Sequence, residues 1–365
     1  MKTISVFNNK GGVGKTTLTF HLAHALADMG HNVLIMDADP QCNLTIFSVD
    51  AEKIAELWEP EDQFIDEGFE VTLKKTTRPQ MKKILANPRS LHFLLKPTEE
   101  GTGELSKLPP PLNLAKNLDL IPGRLSLHSF EEKVSTRWAD AFRGDPLAIR
   151  TMTRVRSIAQ EYAVEHSYDF ILIDTSPSLG ALNKVIISTV DGFFVPAYPD
   201  LFSLYGIKNI GTSLSRWKKD FDTLYQLIST DKRKQFPSKF VTFLGYTVYN
   251  AKKYSGGYKW NLAQAHLSFA EKIPEAIKNN IAPDLRNHIS NSELEAPIGD
   301  SAVMHTHNTF PALAQHYHTP MWLVPSKTLD NEHRSTVGGS SQKFKDTKAA
   351  YKAFATDLLK RLRNV

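Results

Sequence analysis

The chain has 365 residues and a single cysteine, Cys42. One thiol cannot build a disulfide framework, and the low count fits a reducing compartment. No run of about 18 consecutive apolar residues occurs, so no hydrophobic membrane-spanning helix is expected. The N-terminus goes straight into the apolar run Ile4-Ser5-Val6-Phe7, so no signal peptide is expected either. No internal repeat is evident. What is present is a hydrophobic content of 41%, ample for one large α/β domain with insertions or for two modest ones. The net charge of +5 is unevenly placed. Residues 205–259 carry 11 Lys and Arg against 3 Asp, and residues 326–365 carry 9 basic and 4 acidic residues, which leaves the remainder acidic. The densest clusters are Arg216-Trp217-Lys218-Lys219, Lys232-Arg233-Lys234 and Lys252-Lys253. Any one of them alone reads as a solvated face. Their segregation points to a polyanion-binding surface. No base-reading module is visible, so the expected contacts are with a phosphate backbone and carry no sequence preference.

The first apolar run is followed by Lys10-Gly11-Gly12-Val13-Gly14-Lys15-Thr16-Thr17, and then by Leu18, Leu22, Ala25, Leu26 and Met29 at helical spacing. A strand that feeds a glycine-rich loop at a helix N-terminus presents successive backbone N–H groups to anionic oxygens. Lys15 is placed to reach the β- and γ-phosphates of a nucleotide, and the Thr16 hydroxyl to hold Mg²⁺. The loop departs from GxxxxGK[ST], because Asn9 stands where the first glycine belongs and a second lysine, Lys10, follows it. Two cations for one phosphate tail imply a separate task for one of them. Two later apolar runs also end in carboxylates. Asn32 to Met36 leads into Asp37-Ala38-Asp39-Pro40-Gln41-Cys42-Asn43, and Phe170-Ile171-Leu172-Ile173 leads into Asp174-Thr175-Ser176-Pro177-Ser178-Leu179. The second run is apolar throughout and reads as a central strand buried on both faces. An Asp at its end needs a cation or a water network to satisfy it. Asp37 and Asp39 read alone would suit an Asx turn before Pro40.

Together the three motifs resemble the deviant Walker A, Walker A′ (DxDPQGN) and Walker B motifs of the ParA/MinD family of dimerising ATPases, in the version found in ParA/Soj partition proteins. Cys42 replaces the usual Gly of the A′ motif. The resemblance extends through Leu118 to Gly123, Val195 to Pro199 and residues 282–320, and is poorest over residues 50–115. It implies an ATP hydrolase with ATP and Mg²⁺ as cofactors. Gly11, Gly12, Val13, Gly14, Lys15, Thr16 and Thr17 would cradle the phosphates, with Thr16, Asp37 and Asp174 around the metal. Asp39 would orient the attacking water, and Lys10 would reach across a homodimer to the partner's ATP. Asn250, after the apolar strand Phe243 to Tyr249, would contact adenine. ATP would glue two copies together and hydrolysis would release them, giving a slow switch that a partner protein stimulates. The cargo-positioning activity, nonspecific DNA binding and a cytoplasmic, nucleoid-associated location are implied in the same way. Nitrogenase-iron-protein relatives share the loop but need cysteine ligands, which this chain lacks. Two other readings of the same fold are a membrane-surface positioning ATPase of MinD type and a metabolic ATP-dependent ligase.

The alternation of strands and helices predicts a doubly wound, mostly parallel α/β sheet with helices on both faces. The expected organisation is a single domain over residues 1–365. Residues 50–115 form an insertion of short helices ending in a loop, and residues 326–365 form a polar loop (327–342) followed by an amphipathic helix. That helix places Tyr351, Phe354, Ala355, Leu358, Leu359 and Leu362 on one face, with Lys360, Arg361 and Arg363 on the basic side. Its apolar face suits docking on the sheet, and the MinD-type reading would lay it on an anionic membrane. His305, His307, His316 and His318 have H-x-H spacing but no cysteine nearby, and read as surface histidines rather than as a metal site. Tyr254-Ser255-Gly256-Gly257-Tyr258 reads as a flexible aromatic loop.

Overall fold

The computed structural model describes residues 1–233, 236–254, 256, 258–363 and 365, the side chains of Asp231 and Lys232 apart. Lys234 of the second basic cluster, and Ser255 and Gly257 of the aromatic loop, lie outside the described residues.

Among the described residues, seven strands form one sheet. They are β1 (Lys2–Val6), β2 (Val33–Asp37), β3 (Leu112–Ala115), β4 (Leu118–Ile121), β5 (Phe170–Asp174), β6 (Gly192–Ala197) and β7 (Thr242–Val248). Their order is β3-β4-β2-β5-β1-β6-β7, parallel except for the β3–β4 pair. The all-apolar run before Asp174 is the middle strand, as its pattern predicts. In β5, Ile171 and Ile173 pack into one hydrophobic cluster and Leu172 into the other, on opposite faces of the sheet. The same alternation holds for Leu34 and Met36 against Val33 and Ile35. A two-residue side-chain period with both faces covered gives a sheet that is buried on both sides.

The helices that position the site are α1 (Lys15–Asp28), α2 (Asn43–Ser48), α3 (His128–Ala141), α4 (Pro146–His166), α5 (Ala181–Thr189), α6 (Leu201–Leu227), α7 (Phe310–His316), α8 (Asn331–Gly338) and α9 (Ser341–Leu362). Local chemistry sets several of their starts. Asp145 caps α4 by accepting the Ala148 N–H, with Pro146 in the first turn. Asp200 caps α6 by accepting the Ser203 N–H.

Two segments and one side chain differ from the sequence expectation. Residues 112–115, read as the end of the insertion, form the edge strand β3, paired antiparallel with β4 across the Asn117 turn, where φ is +63°. Within the segment read as the polar loop 327–342, residues 331–338 are helical (α8) and α9 already begins at Ser341. A nearly all-polar sequence hid α8, because only Val337 of its side chains is buried. Arg361, read as part of a basic face, is 3% exposed. Its guanidinium donates to the carbonyls of Glu293 and Ala296 and to the Asp357 carboxylate. The apolar face of α9 docks on the core. Tyr351, Phe354, Ala355 and Leu358 are fully buried, and the Phe354 ring meets Phe194 of β6 edge-on at 5.6 Å.

Candidate nucleotide site

β1 ends beside β5 and β6 in the middle of the sheet, and the loop of residues 9–14 leaves from its C-terminal edge into α1. This is where doubly wound folds place phosphate ligands. Helix α1 starts on Gly14 (φ +81°) without any side-chain cap. Its first N–H groups therefore have no side-chain acceptor, which is the arrangement that receives an anion. Gly14 is also irreplaceable on steric grounds. A Cβ there would lie 2.1 Å from Cε1 of Tyr249, whose ring packs against the loop.

Above the loop lies a cavity of about 550 Å³, within the range of ligand sites. Gly11, Gly12, Gly14, Lys15, Thr16, Thr17, Asp39 and Asn250 of the expected set line it. Val13 does not, because its side chain is buried at 1% exposure. Lys15 is itself mostly buried, and its Nζ donates to the Lys10 carbonyl at 3.2 Å. Burial holds its pKa below the ordinary lysine value, against the pull of Asp174 and Asp39. Asp39 sits on the wall, its Oδ1 accepting the Gln41 N–H at 2.9 Å. Burial raises its pKa. Asn250 adopts φ +60° just past β7, a conformation Asn tolerates better than most residues.

Parallel register sets Asp37 beside Asp174, and the two behave differently. Asp174 Oδ2 accepts from the Thr16 hydroxyl at 2.7 Å, and its Oδ1 is buried with no hydrogen-bond partner among the described residues. Burial and the nearby Asp37 push its pKa to about 8. A buried carboxylate oxygen left unpaired next to a threonine hydroxyl fits a divalent cation. Thr16 and Asp174 are the residues that would hold Mg²⁺ beside the phosphates, where it would supply charge neutralisation. Neither Asp174 nor Asp37 lines the cavity itself, and the Asp37 carboxylate is fully engaged. Its Oδ2 accepts from the Thr45 N–H and hydroxyl at 2.8 and 2.6 Å, and its Oδ1 from the Asp39 N–H at 3.2 Å. In this structure Asp37 ties down the turn that carries Asp39. Cys42 shows why glycine is usual at its position, for its φ is +54°, a conformation that costs a side-chain-bearing residue about 1 kcal/mol.

Lys10 stands apart from Lys15. Its amine lies outside the cradle, paired with Asp200 and facing the rings of Tyr198 and Phe202 at 5.2 and 5.8 Å. Phe202, Tyr205 and Leu201 beside it are exposed, Phe202 at 72%.

The sequence did not disclose the far wall of the cavity, made of Phe47, Tyr249, His305, His307, Asn308 and Pro311. The histidine cluster divides there. His305 and His307 face the cavity, whereas His316 lies at the far end of α7. Burial holds His307 neutral with a pKa of about 4, and its Nε2 has no partner among the described residues. The basic clusters divide as well. Trp217 is buried and Lys218 pairs with Asp222 and Asp284, while Arg216, Lys219, Lys252 and Lys253 are exposed.

Residues 1–226 match the family model described as an AAA domain. An uncharacterised protein of Methanocaldococcus jannaschii is 30% identical over 210 residues, 57% of this chain and 63% of that protein. The sporulation initiation inhibitor protein Soj of Bacillus subtilis is 26% identical over 226 residues, 61% of this chain and 68% of Soj. This chain spans 63% of the length of the Methanocaldococcus relative and 49% of that of two uncharacterised Mycobacterium tuberculosis relatives, each 30% identical to it. The solved ParA of pNOB8 superposes with a TM-score of 0.59 at 18% identity, over 100% of this chain and 99% of that one. At that identity it shows the fold alone. With the family model covering more than half of its length, the chain belongs to the AAA-domain family, and it is similar to P-loop proteins of the ParA/MinD type.

Proposed function

We propose that this chain is an ATP-dimerising ATPase switch that binds DNA without sequence preference and positions or segregates a cargo, with hydrolysis stimulated by a partner protein. The observation that carries this reading is the division of labour between the two lysines. Lys15 is buried in its own cradle, whereas Lys10 projects beyond it on a surface that exposes Phe202 and Tyr205. A cation outside its own phosphate site, next to uncovered aromatic area, suits a second copy of the chain closing over the triphosphate. Asp39 on the cavity wall is the group that would orient water, and phosphoryl transfer asks little more of the protein than positioning and charge neutralisation. Support for DNA comes from the exposed basic residues Arg216, Lys219, Lys252 and Lys253. It comes also from the fold shared with a pNOB8 ParA solved in complex with nonspecific DNA, at a TM-score of 0.53.

Asp39→Ala tests the switch. It is expected to retain ATP, to lose hydrolysis by a factor of about 100 or more, and to run as a dimer by light scattering with ATP and as a monomer without it. A variant that binds ATP and stays monomeric overturns the reading.

The membrane-surface alternative depends on the apolar face of α9, and that face is buried in the core. Among the described residues no helix is long and apolar enough to cross a membrane.

A further inference from the structure

His316 is the last residue of α7, Asp330 immediately precedes α8, and His333 lies in the first turn of α8. The fold brings the three together. His316 Nε2 lies 2.7 Å from Asp330 Oδ2, and His333 Nδ1 lies 3.8 Å from the same oxygen. The two imidazole rings stand nearly perpendicular with centroids 5.0 Å apart. One ligating atom from each of the three residues falls within 4.8 Å of the other two. The Tyr317 hydroxyl accepts the Asp330 N–H at 2.9 Å and lies 2.8 Å from His333 Nδ1, which sets the orientation of that ring. Glu332 is a further carboxylate, 3.6 Å from His333 Nε2.

We propose that His316, Asp330 and His333 form a binding site for a zinc-type transition-metal ion that clasps α8 to the end of α7. Two imidazoles and a carboxylate are a zinc donor set, and are unsuited to Mg²⁺ or Ca²⁺, which take oxygen ligands. At zinc bond lengths of about 2.0–2.2 Å, tetrahedral donors sit about 3.3 Å apart. The 2.7 Å contact opens and the 3.8 Å contact closes by less than 1 Å each, within reach of side-chain rotation. Tyr317 then releases His333 Nδ1 and keeps the Asp330 amide. His316 and Asp330 are half exposed, so an ion can enter and water or Glu332 can complete its shell. The clasp also bears on the nucleotide cavity, since Pro311, Ala312 and Gln315 of α7 line that cavity. The inference does not depend on the proposed function.

The test uses the full-length chain, metal-stripped and free of nucleotide. Zn²⁺ is titrated in competition with a chromophoric chelator, and Co²⁺ is followed by its visible absorption. The wild type is expected to take up one Zn²⁺ per chain, to give the intense bands of four-coordinate Co²⁺, and to melt higher with zinc. The pair His316→Ala with His333→Ala is expected to lose both signals, with affinity down by a factor of about 100 or more. The pair His305→Ala with His307→Ala is expected to keep them. Equal affinity in the wild type and the His316/His333 variant, or loss of binding in the His305/His307 variant, overturns the proposal. If the first double variant fails to reproduce the wild-type circular dichroism, Asp330→Asn takes its place under the same criteria.

Discussion

At the residue scale, Asp200 has two tasks. Its carboxylate caps α6 through Ser203 and pairs with the Lys10 amine. Partial burial opposes its charge, but the hydrogen bonds from Lys10 and Ser203 together hold its pKa below the ordinary aspartate value. On the proposed reading, Lys10 must leave Asp200 before it can serve a neighbour's nucleotide. Asp200→Asn keeps the cap, because Asn serves there as well as Asp, and it removes the competing charge. A partly exposed pair is worth at most about 1 kcal/mol and a symmetric dimer breaks two of them, so the ATP-dependent dimer of an Asp39→Ala chain is expected to tighten by up to about 30-fold, measured by light scattering across concentration. Weaker dimerisation would mean that Asp200 aims Lys10 and does not restrain it. The sequence marked Lys10 as unusual from its place in the loop. It could not mark Asp200, 190 positions away, because nothing local in the Pro199-Asp200-Leu201 segment differs from an ordinary helix cap.

At the scale of elements, α1 and α9 form a unit beneath the phosphate loop. His21 of α1 stacks on Tyr351 of α9, with ring centroids 5.1 Å apart, and the Tyr351 hydroxyl meets that of Tyr249, whose ring packs on Gly14. Removing Phe354 from this layer by Phe354→Ala is expected to cost about 3–5 kcal/mol, read by urea unfolding. The wild-type chain is expected not to float with anionic liposomes, with or without ATP, whereas flotation dependent on residues 344–365 would show that α9 leaves the core.

The same unit has a pH signature. Burial holds His21 and His24 neutral, with pKa values of about 3. In the unfolded chain each titrates near 6.5, so the unfolded state binds more protons between those values. Their contribution to stability is therefore whole above about pH 6.5 and falls as pH drops toward 3, by about 1.4 kcal/mol per pH unit for each histidine. Asp37 and Asp174, pushed up to about 7 and 8, act in the opposite sense over an overlapping range, so only a difference between chains isolates the histidines. His21→Gln is expected to flatten the fall in unfolding free energy between pH 6 and pH 4 by about one proton, and an unchanged slope would contradict a neutral buried His21.

Not every element was equally legible. Thr77-Arg78-Pro79-Gln80 caps the Arg78–Leu85 helix with a full capping box, a local signal present in the sequence. The attachment of the insertion was not legible. Buried Glu61 accepts from Ser90 and lies 3.4 Å from Arg124, and Trp58 Nε1 donates to the Gly123 carbonyl. Gly123 N–H in turn donates to Thr45 Oγ1, which holds Asp37. The helices of residues 50–100 are thereby tied to the turn that carries Asp39.

At the scale of the whole molecule, the proposal requires a basic surface that reads phosphate alone. The log of the DNA-binding constant is then expected to fall linearly with log salt. Substituting Arg216 and Lys219, exposed on α6, by alanine should reduce that slope by about two contacts' worth and weaken binding equally on unrelated sequences. A salt-independent constant, or selectivity among duplexes, would contradict backbone recognition.

The sequence alone determined the phosphate loop, the central strand and the mostly parallel sheet, because a glycine loop between a strand and a helix and an unbroken apolar run before a carboxylate are set by neighbours along the chain. The tertiary structure decided the partner of Lys10, the tethering of Asp37 by Thr45, the histidines on the cavity wall and the burial of α9. Each of these depends on which distant surfaces meet, and an amphipathic or charged residue shows the same local pattern whatever comes to cover it.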